Sequence, residues 1–375
     1  MSKASGDDSL GYRVMLQDSV GRNEVWFVTK EAGEYRVLAN SSWLVPLGAE
    51  VLDRLSRENF AGAATLLMWA REAFPTVSEA DPYGGSLFPR FWAPGQRSGD
   101  QQAATIAAAV LLLQSRSAAQ RGLALLEQAR TVMKSDTVTD SIDRALLSAY
   151  EQVNNRERSL QIARTLAQRA PQSMRVFYSQ VMALRALHRF TEADQLAQER
   201  LKVLPGDIFA LRFMVQNAAL QHDYATAYAR GLKVLESSDA TSNDMNTVAW
   251  LSLFFNRPAG PDVDRALQAS QDTRIAAPAL HTLACAYAEL GKAREAREIL
   301  LQSMDLMKMS RPDGAYWYAF GRIAEVYGER DAALAYYARV PTPADPAAEY
   351  QSAYHLAQSR MRVLAAPVKA AYPLQ

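Results

Sequence analysis

The stretch Trp317-Tyr-Ala-Phe-Gly321, followed by Gly328, Ala333 and Tyr337, decides how this chain is read. Large and small residues recur at spacings of three and four, a glycine interrupts them, and a second amphipathic run resumes around a small residue. That is the pattern of two helices joined by a tight turn and crossing closely. The pattern repeats on both sides. Leu283-Ala-Cys-Ala-Tyr287 is followed by Gly291, Ala296 and Leu300, and Phe190-Thr-Glu-Ala193 by Ala197 and Pro205. Tyr224-Ala-Thr-Ala227 repeats it again, and weaker copies begin at Leu146 with Tyr150 and Pro171, and at Phe60-Ala-Gly-Ala63 with Leu67 and Pro75. Pro171 and Pro205 lie 34 residues apart, and each closes an amphipathic helix, because proline cannot continue the backbone ladder.

A period of 34 residues with a large-small crossing pattern resembles the tetratricopeptide repeat family. The resemblance implies a mostly α chain: a right-handed α-solenoid of about eight helical hairpins, placed at 46–75, 101–135, 139–171, 173–205, 207–239, 243–273, 277–308 and 313–341. A last helix over about 346–364 is expected to cap the array, since a solenoid must cover its end.

The first forty-five residues are different. Tyr12–Gln17, Glu24–Thr29 and Glu34–Ala39 are rich in β-branched and aromatic residues, with turn residues between them, and predict three short antiparallel strands. So small a sheet is marginal alone and is expected to lean on the first helices. The domain plan is therefore a β segment at 1–45, a solenoid at 46–364 and an extended tail at 365–375. An irregular loop at 76–100 interrupts the solenoid. Its aromatic run, Tyr83 with Phe88, Phe91 and Trp92, reads more readily as a plug over the first hairpin than as an exposed anchor.

The bulk composition narrows the function. Forty-one basic residues against 40 acidic ones leave a net charge of +1, which offers no stripe for nucleic acid. The longest apolar run, Ala103–Leu113, is too short to cross a bilayer. The start is polar and has no apolar h-region, so the expectation is a cytoplasmic chain. The lone Cys285 suits that compartment, and equally a secreted repeat protein that needs no disulfide.

No motif carries catalysis. The histidines are scattered, and His188 and His222 stand one repeat apart, which marks a turn position rather than a ligand pair. Cys285 reads as a small core residue, and no phosphate loop or nucleophile elbow is present in the sequence. No metal, no cofactor and no enzymatic activity are expected.

In the tetratricopeptide family, the first helix of each hairpin lines a concave wall that takes peptides. Carried over position by position, the resemblance implies a partner-binding wall of Arg144, Arg175, Tyr178, Met182, Arg185, Arg212, Phe213, Gln216, Tyr318 and Arg322. Ser148, Phe209 and His281 lie at equivalent positions. The family's lysine and asparagine clamp for a terminal carboxylate is not reproduced. The recurring arginines suit a protein or peptide with acidic groups. The expected function is a scaffold or adaptor for protein interaction. The alternative is the C-terminal accessory region of a larger bacterial multidomain protein, for which an enzyme is one candidate.

Overall fold

In a computed structural model, the described residues are 3–8, 11–17, 23–40, 43–73, 101–132, 136–255, 258, 260–344 and 351–365. The loop at 76–100 and the tail from 366 lie outside them, as does the 345–350 part of the expected cap. The chain divides into two compact units, Met1–Arg189 and Phe190–Gln375.

The first unit opens with four antiparallel strands in sequential order: β1 (Lys3–Asp7), β2 (Gly11–Gln17), β3 (Asn23–Glu31) and β4 (Glu34–Asn40). The sequence predicts only three. Lys-Ala-Ser-Gly-Asp has no β-forming bias, and β1 exists because β2 offers it a pairing edge, from Lys3 opposite Met15 to Asp7 opposite Gly11. Gly6 makes this possible: at φ +133°, a Cβ there would lie 2.9 Å from the Trp69 ring. Tyr12–Met15 is consequently an inner stretch, paired on both sides rather than an open edge.

Alternation along the sheet buries Val25, Phe27 and Ala39 on one face. They join one core with Leu44, Leu47 and Val51 and with the buried side chains of the helices that follow. Those helices are α1 (Val45–Ser56), α2 (Phe60–Ala73), α3 (Gln101–Leu112), α4 (Arg116–Val132), α5 (Asp136–Gln152), α6 (Arg156–Arg169) and α7 (Met174–Ala186). The apolar run singled out in the sequence is α3, and it is buried from Ile106 to Leu112. A helix apolar all round is buried, and at 12 residues this one is too short to span a membrane.

The second unit holds α8 (Phe190–Val203), α9 (Ile208–Leu220), α10 (Tyr224–Leu235), α11 (Ser242–Phe255), α12 (Gly260–Ala269), α13 (Ala276–Glu289), α14 (Ala293–Leu306), α15 (Tyr316–Val326), α16 (Arg330–Tyr337) and α17 (Ala353–Ala365). Consecutive helices pack as hairpins, and first helices of neighbouring hairpins also touch, as α11 does α13 and α13 does α15. This is an α-solenoid of tetratricopeptide-like hairpins.

The turns explain the regularity. Among the described residues, six first helices end with one residue in the left-handed region: Glu58, Asn154, His188, His222, Gly291 and Gly328. The next amide returns to the carbonyl five residues back, as from Asn155 to Tyr150, Arg189 to Leu184 and Asp223 to Ala218. This 6→1 bond stops the first helix. Asn155 and Asp223 then cap the second helix by accepting from the amides of Arg158 and Thr226.

Four residues into the second helix stands a small buried residue: Ala63, Ala119, Ser159, Ala193, Ala227, Ala296 and Ala333. In α12 the position holds Val263, which is half-buried.

Hairpin packing is close at α15–α16. A Cβ at Gly321 would lie 2.4 Å from Cε1 of the buried Tyr337 ring. Glycine to alanine inside a helix ordinarily stabilises by about 1 kcal/mol, but here the ring must move. Gly321→Ala is expected to destabilise by about 1–3 kcal/mol, read as a lower urea midpoint. Adding Tyr337→Leu should recover part of the loss. A midpoint equal to or above that of the natural chain would refute the close approach.

His281 supplies a second test. It is buried, with Nε2 3.2 Å from the Ala315 carbonyl oxygen. Burial lowers its pKa to about 4 against an ordinary 6.5, so the folded chain refuses a proton that the unfolded chain accepts. Its contribution is complete above pH 6.5 and is lost as the pH falls toward 4. Urea midpoints of the natural chain should drop between about pH 7 and about pH 5, and those of His281→Gln should drop less. An equal drop in both would remove His281 as the cause.

Candidate interaction surface

The expected wall residues separate into three groups. On α7, Arg175, Tyr178, Met182 and Arg185 follow each other at helical spacing. Tyr178 is 38% exposed and Met182 37%, one turn apart, so they present a continuous apolar patch. Arg175 is ion-paired with Glu151, whose other oxygen accepts from Ser179 Oγ at 2.6 Å. On α5, Arg144 Nε donates to Asp140 Oδ2 at 2.7 Å. Arg185 lies in the last turn of α7, half-buried.

The second group is on α9. Arg212 grips Asp244 of α11 with two bonds, Nε to Oδ1 at 2.8 Å and Nη2 to Oδ2 at 2.6 Å. The amide and hydroxyl of Thr241 donate to the same Oδ2, each at 2.8 Å. Burial alone would raise the Asp244 pKa, but the bonds from Arg212 and Thr241 outweigh it and the carboxyl is lowered. The Arg212 guanidinium also stands 5.8 Å from the centroid of the exposed Phe209 ring. Phe213 and Gln216 are half-buried on the same helix.

Arg212 and Gln216 open onto a cleft of about 320 Å³ between α9, α10 and α11. Its floor is Val215, Gly231, Val234 and Val248, and its rim is Thr241, Asn243, Asp244 and Thr247. Gly231 keeps the floor low: a Cβ there would meet Val248 Cγ2 at 2.8 Å. An apolar floor under a ring of polar groups is suited to one apolar side chain whose backbone bonds at the rim.

Tyr318 and Arg322 form the third group, and the structure corrects their expected place. Both are buried rather than displayed on a wall. Arg322 is bonded to both oxygens of Glu289, at 2.5 and 2.9 Å, and stands 2.6 Å from Glu325. The Tyr318 hydroxyl donates to Glu289 at 3.1 Å. A buried arginine needs its carboxylates, and removing one partner costs about 3–5 kcal/mol, so this cluster holds hairpins together.

The same logic extends further. Asp143, fully buried, is held by Arg130 and Arg169, and Asp194 by Arg230. Sequence reasoning took the arginines as donors for a partner and missed their carboxylates. A signal was present: Arg212–Asp244 and Glu289–Arg322 are each close to one repeat apart, the spacing that brings neighbouring hairpins into contact.

Cys285 Sγ lies 3.8 Å from His281 Nε2, but burial raises the thiol pKa and lowers that of the imidazole to about 4. The pair is therefore a neutral thiol and a neutral ring, not an activated nucleophile. Among the described residues, no group of three or more His, Cys, Asp or Glu is placed to hold a metal ion. No helix among them is long and apolar enough to cross a membrane.

No protein-family model matches the sequence, and neither does any curated protein. Several solved structures are similar in fold. A tetratricopeptide repeat protein from Parabacteroides merdae is 12% identical, over 75% of this chain and 99% of that one, with a TM-score of 0.48. Naa15/Naa10 bound to HypK is 12% identical over 79% and 53%, with a TM-score of 0.29. The TPR domain of P58(IPK) is 9% identical over 85% and 98%, with a TM-score of 0.25. Likeness at this level adds nothing to what the hairpins themselves show. On their turns, crossings and boundaries, this chain has a tetratricopeptide-like repeat fold.

Proposed function

We propose that this chain is a non-catalytic scaffold that binds a segment of another protein on the surface of its first helices. The cleft between α9, α10 and α11 carries this reading, because it joins an apolar floor to a polar rim and includes two of the residues expected from the sequence. The exposed Tyr178–Met182 patch on α7 offers a second apolar contact of the same kind. Tyrosine and methionine give contact area that adapts to a partner's shape.

The partner's chemistry follows from the charges. Arg144, Arg175 and Arg212 already face Asp140, Glu151 and Asp244. An acidic partner would compete with these carboxylates for each arginine. The favoured ligand is therefore a segment that inserts an apolar side chain into the cleft and bonds its backbone at the rim. Acidic groups take a subordinate part.

Asn243 is exposed on the rim and Thr247 half-buried, so bulky replacements there would roof the cleft without touching its floor. Cross-linked partners captured from the native cell by the natural chain should be lost from Asn243→Trp/Thr247→Trp. Loss of a central anchor costs about 2 kcal/mol or more, roughly a thirtyfold drop. The variant's thermal transition should stay in place. Undiminished capture by the roofed variant would move the site away from this cleft.

A further inference from the structure

The cleft between α9, α10 and α11 is larger than one branched aliphatic side chain needs. An apolar cavity of about 150 Å³ takes a whole benzene ring, whereas this cleft offers about 320 Å³. A leucine side chain has fewer carbons than benzene and would leave more than half of that space to water. Water over Val215, Val234 and Val248 finds no hydrogen-bonding group in their side chains, so an underfilled cleft forfeits part of the gain from burial. A flat bicyclic ring comes closer to the available volume.

Arg212 restricts the chemistry further. It lines the cleft, and its Nε and Nη2 are bonded to the two oxygens of Asp244. Nη2 also faces the Asp239 carbonyl oxygen at 3.4 Å. The Nε–Nη2 edge, which would take a partner's carboxylate, is therefore filled. The same two bonds fix the plane of the guanidinium, because a bidentate pair holds both groups in one geometry. A fixed cationic plane beside an apolar floor is complementary in charge to the negative face of an aromatic ring.

The chain already makes one such contact. The Phe209 ring centroid stands 5.8 Å from the Arg212 guanidinium carbon while both Asp244 bonds are in place. At this arginine an aromatic neighbour and the ion pair coexist.

We propose that the anchor accepted by the cleft is an aromatic side chain, a tryptophan indole best of all. It lies over the valine floor with its face toward the Arg212 guanidinium. The inference rests on the scaffold reading given above and gives the partner segment its chemical class. The decisive residue of that segment is aromatic, in preference to leucine, isoleucine or valine.

The test uses the full-length chain and two small probes, N-acetyltryptophanamide and N-acetylleucinamide. They carry the same backbone amides and differ only in the side chain. Each is titrated while the methyl resonances of Val215, Val234 and Val248 are followed by NMR. The tryptophan probe should shift all three and reach half-saturation at a concentration about tenfold or more below that of the leucine probe. In Arg212→Gln/Asp244→Asn both charges are removed together, so no buried carboxylate is left unpaired. There the preference should shrink to about threefold or less, with the leucine probe's own affinity unchanged. The comparison on the natural chain stands whether or not this variant folds.

Equal half-saturation by the two probes, or a preference undiminished when both charges are gone, overturns the proposal and leaves the scaffold reading standing. If neither probe moves the valine methyls, the aromatic anchor is overturned as well. The scaffold reading is then still decided separately, by capture with the natural chain against the roofed variant.

Discussion

The closeness of two helices within each hairpin is the constraint on which everything else rests. At the crossing, the second helix presents a residue no larger than serine in seven of its eight occurrences among the described residues, from Ala63 to Ala333. Where the first helix also carries glycine, as at Gly321, a whole tyrosine ring fills the vacated space. Small residues let backbones approach, and large neighbours then exclude water, so packing density is kept without long side chains. The left-handed turn residue and its returning amide set the angle at which the second helix leaves. Together these local rules repeat one shape, and the repeat spaces every other feature of the chain.

Ion pairs between neighbouring hairpins are a consequence of that spacing. Residues about one repeat apart lie side by side, so an arginine in one hairpin meets a carboxylate in the next, as Arg212 meets Asp244 and Arg322 meets Glu289. Those that are half-exposed contribute little, while the buried ones are costly to break. This pairing turns an apparently cationic wall into an internally neutral one. What remains available is apolar: the Tyr178–Met182 patch, the exposed Phe209 and the valine-floored cleft. Under the proposed function, a preference for an apolar anchor would be a result of the same contacts that hold the hairpins in register.

The sequence by itself determined the hairpins. Helical spacing, turn glycines and the 34-residue separation of Pro171 and Pro205 are local signals, and local signals suffice where each unit is built from neighbouring residues. Three of the four strands were legible for the same reason. Tertiary structure alone decided the rest. Strand β1 has no propensity of its own and was recruited by the edge of β2. Tyr318 and Arg322 sit at wall positions by count but are buried, because burial depends on what the neighbouring hairpins place against them. The cleft depends on Gly231, Val234 and Val248 from two helices, and the Trp250–Gln351 bond joins residues 101 apart. No periodicity encodes such contacts, since they are set by how successive hairpins stack and by how far the last helix reaches back.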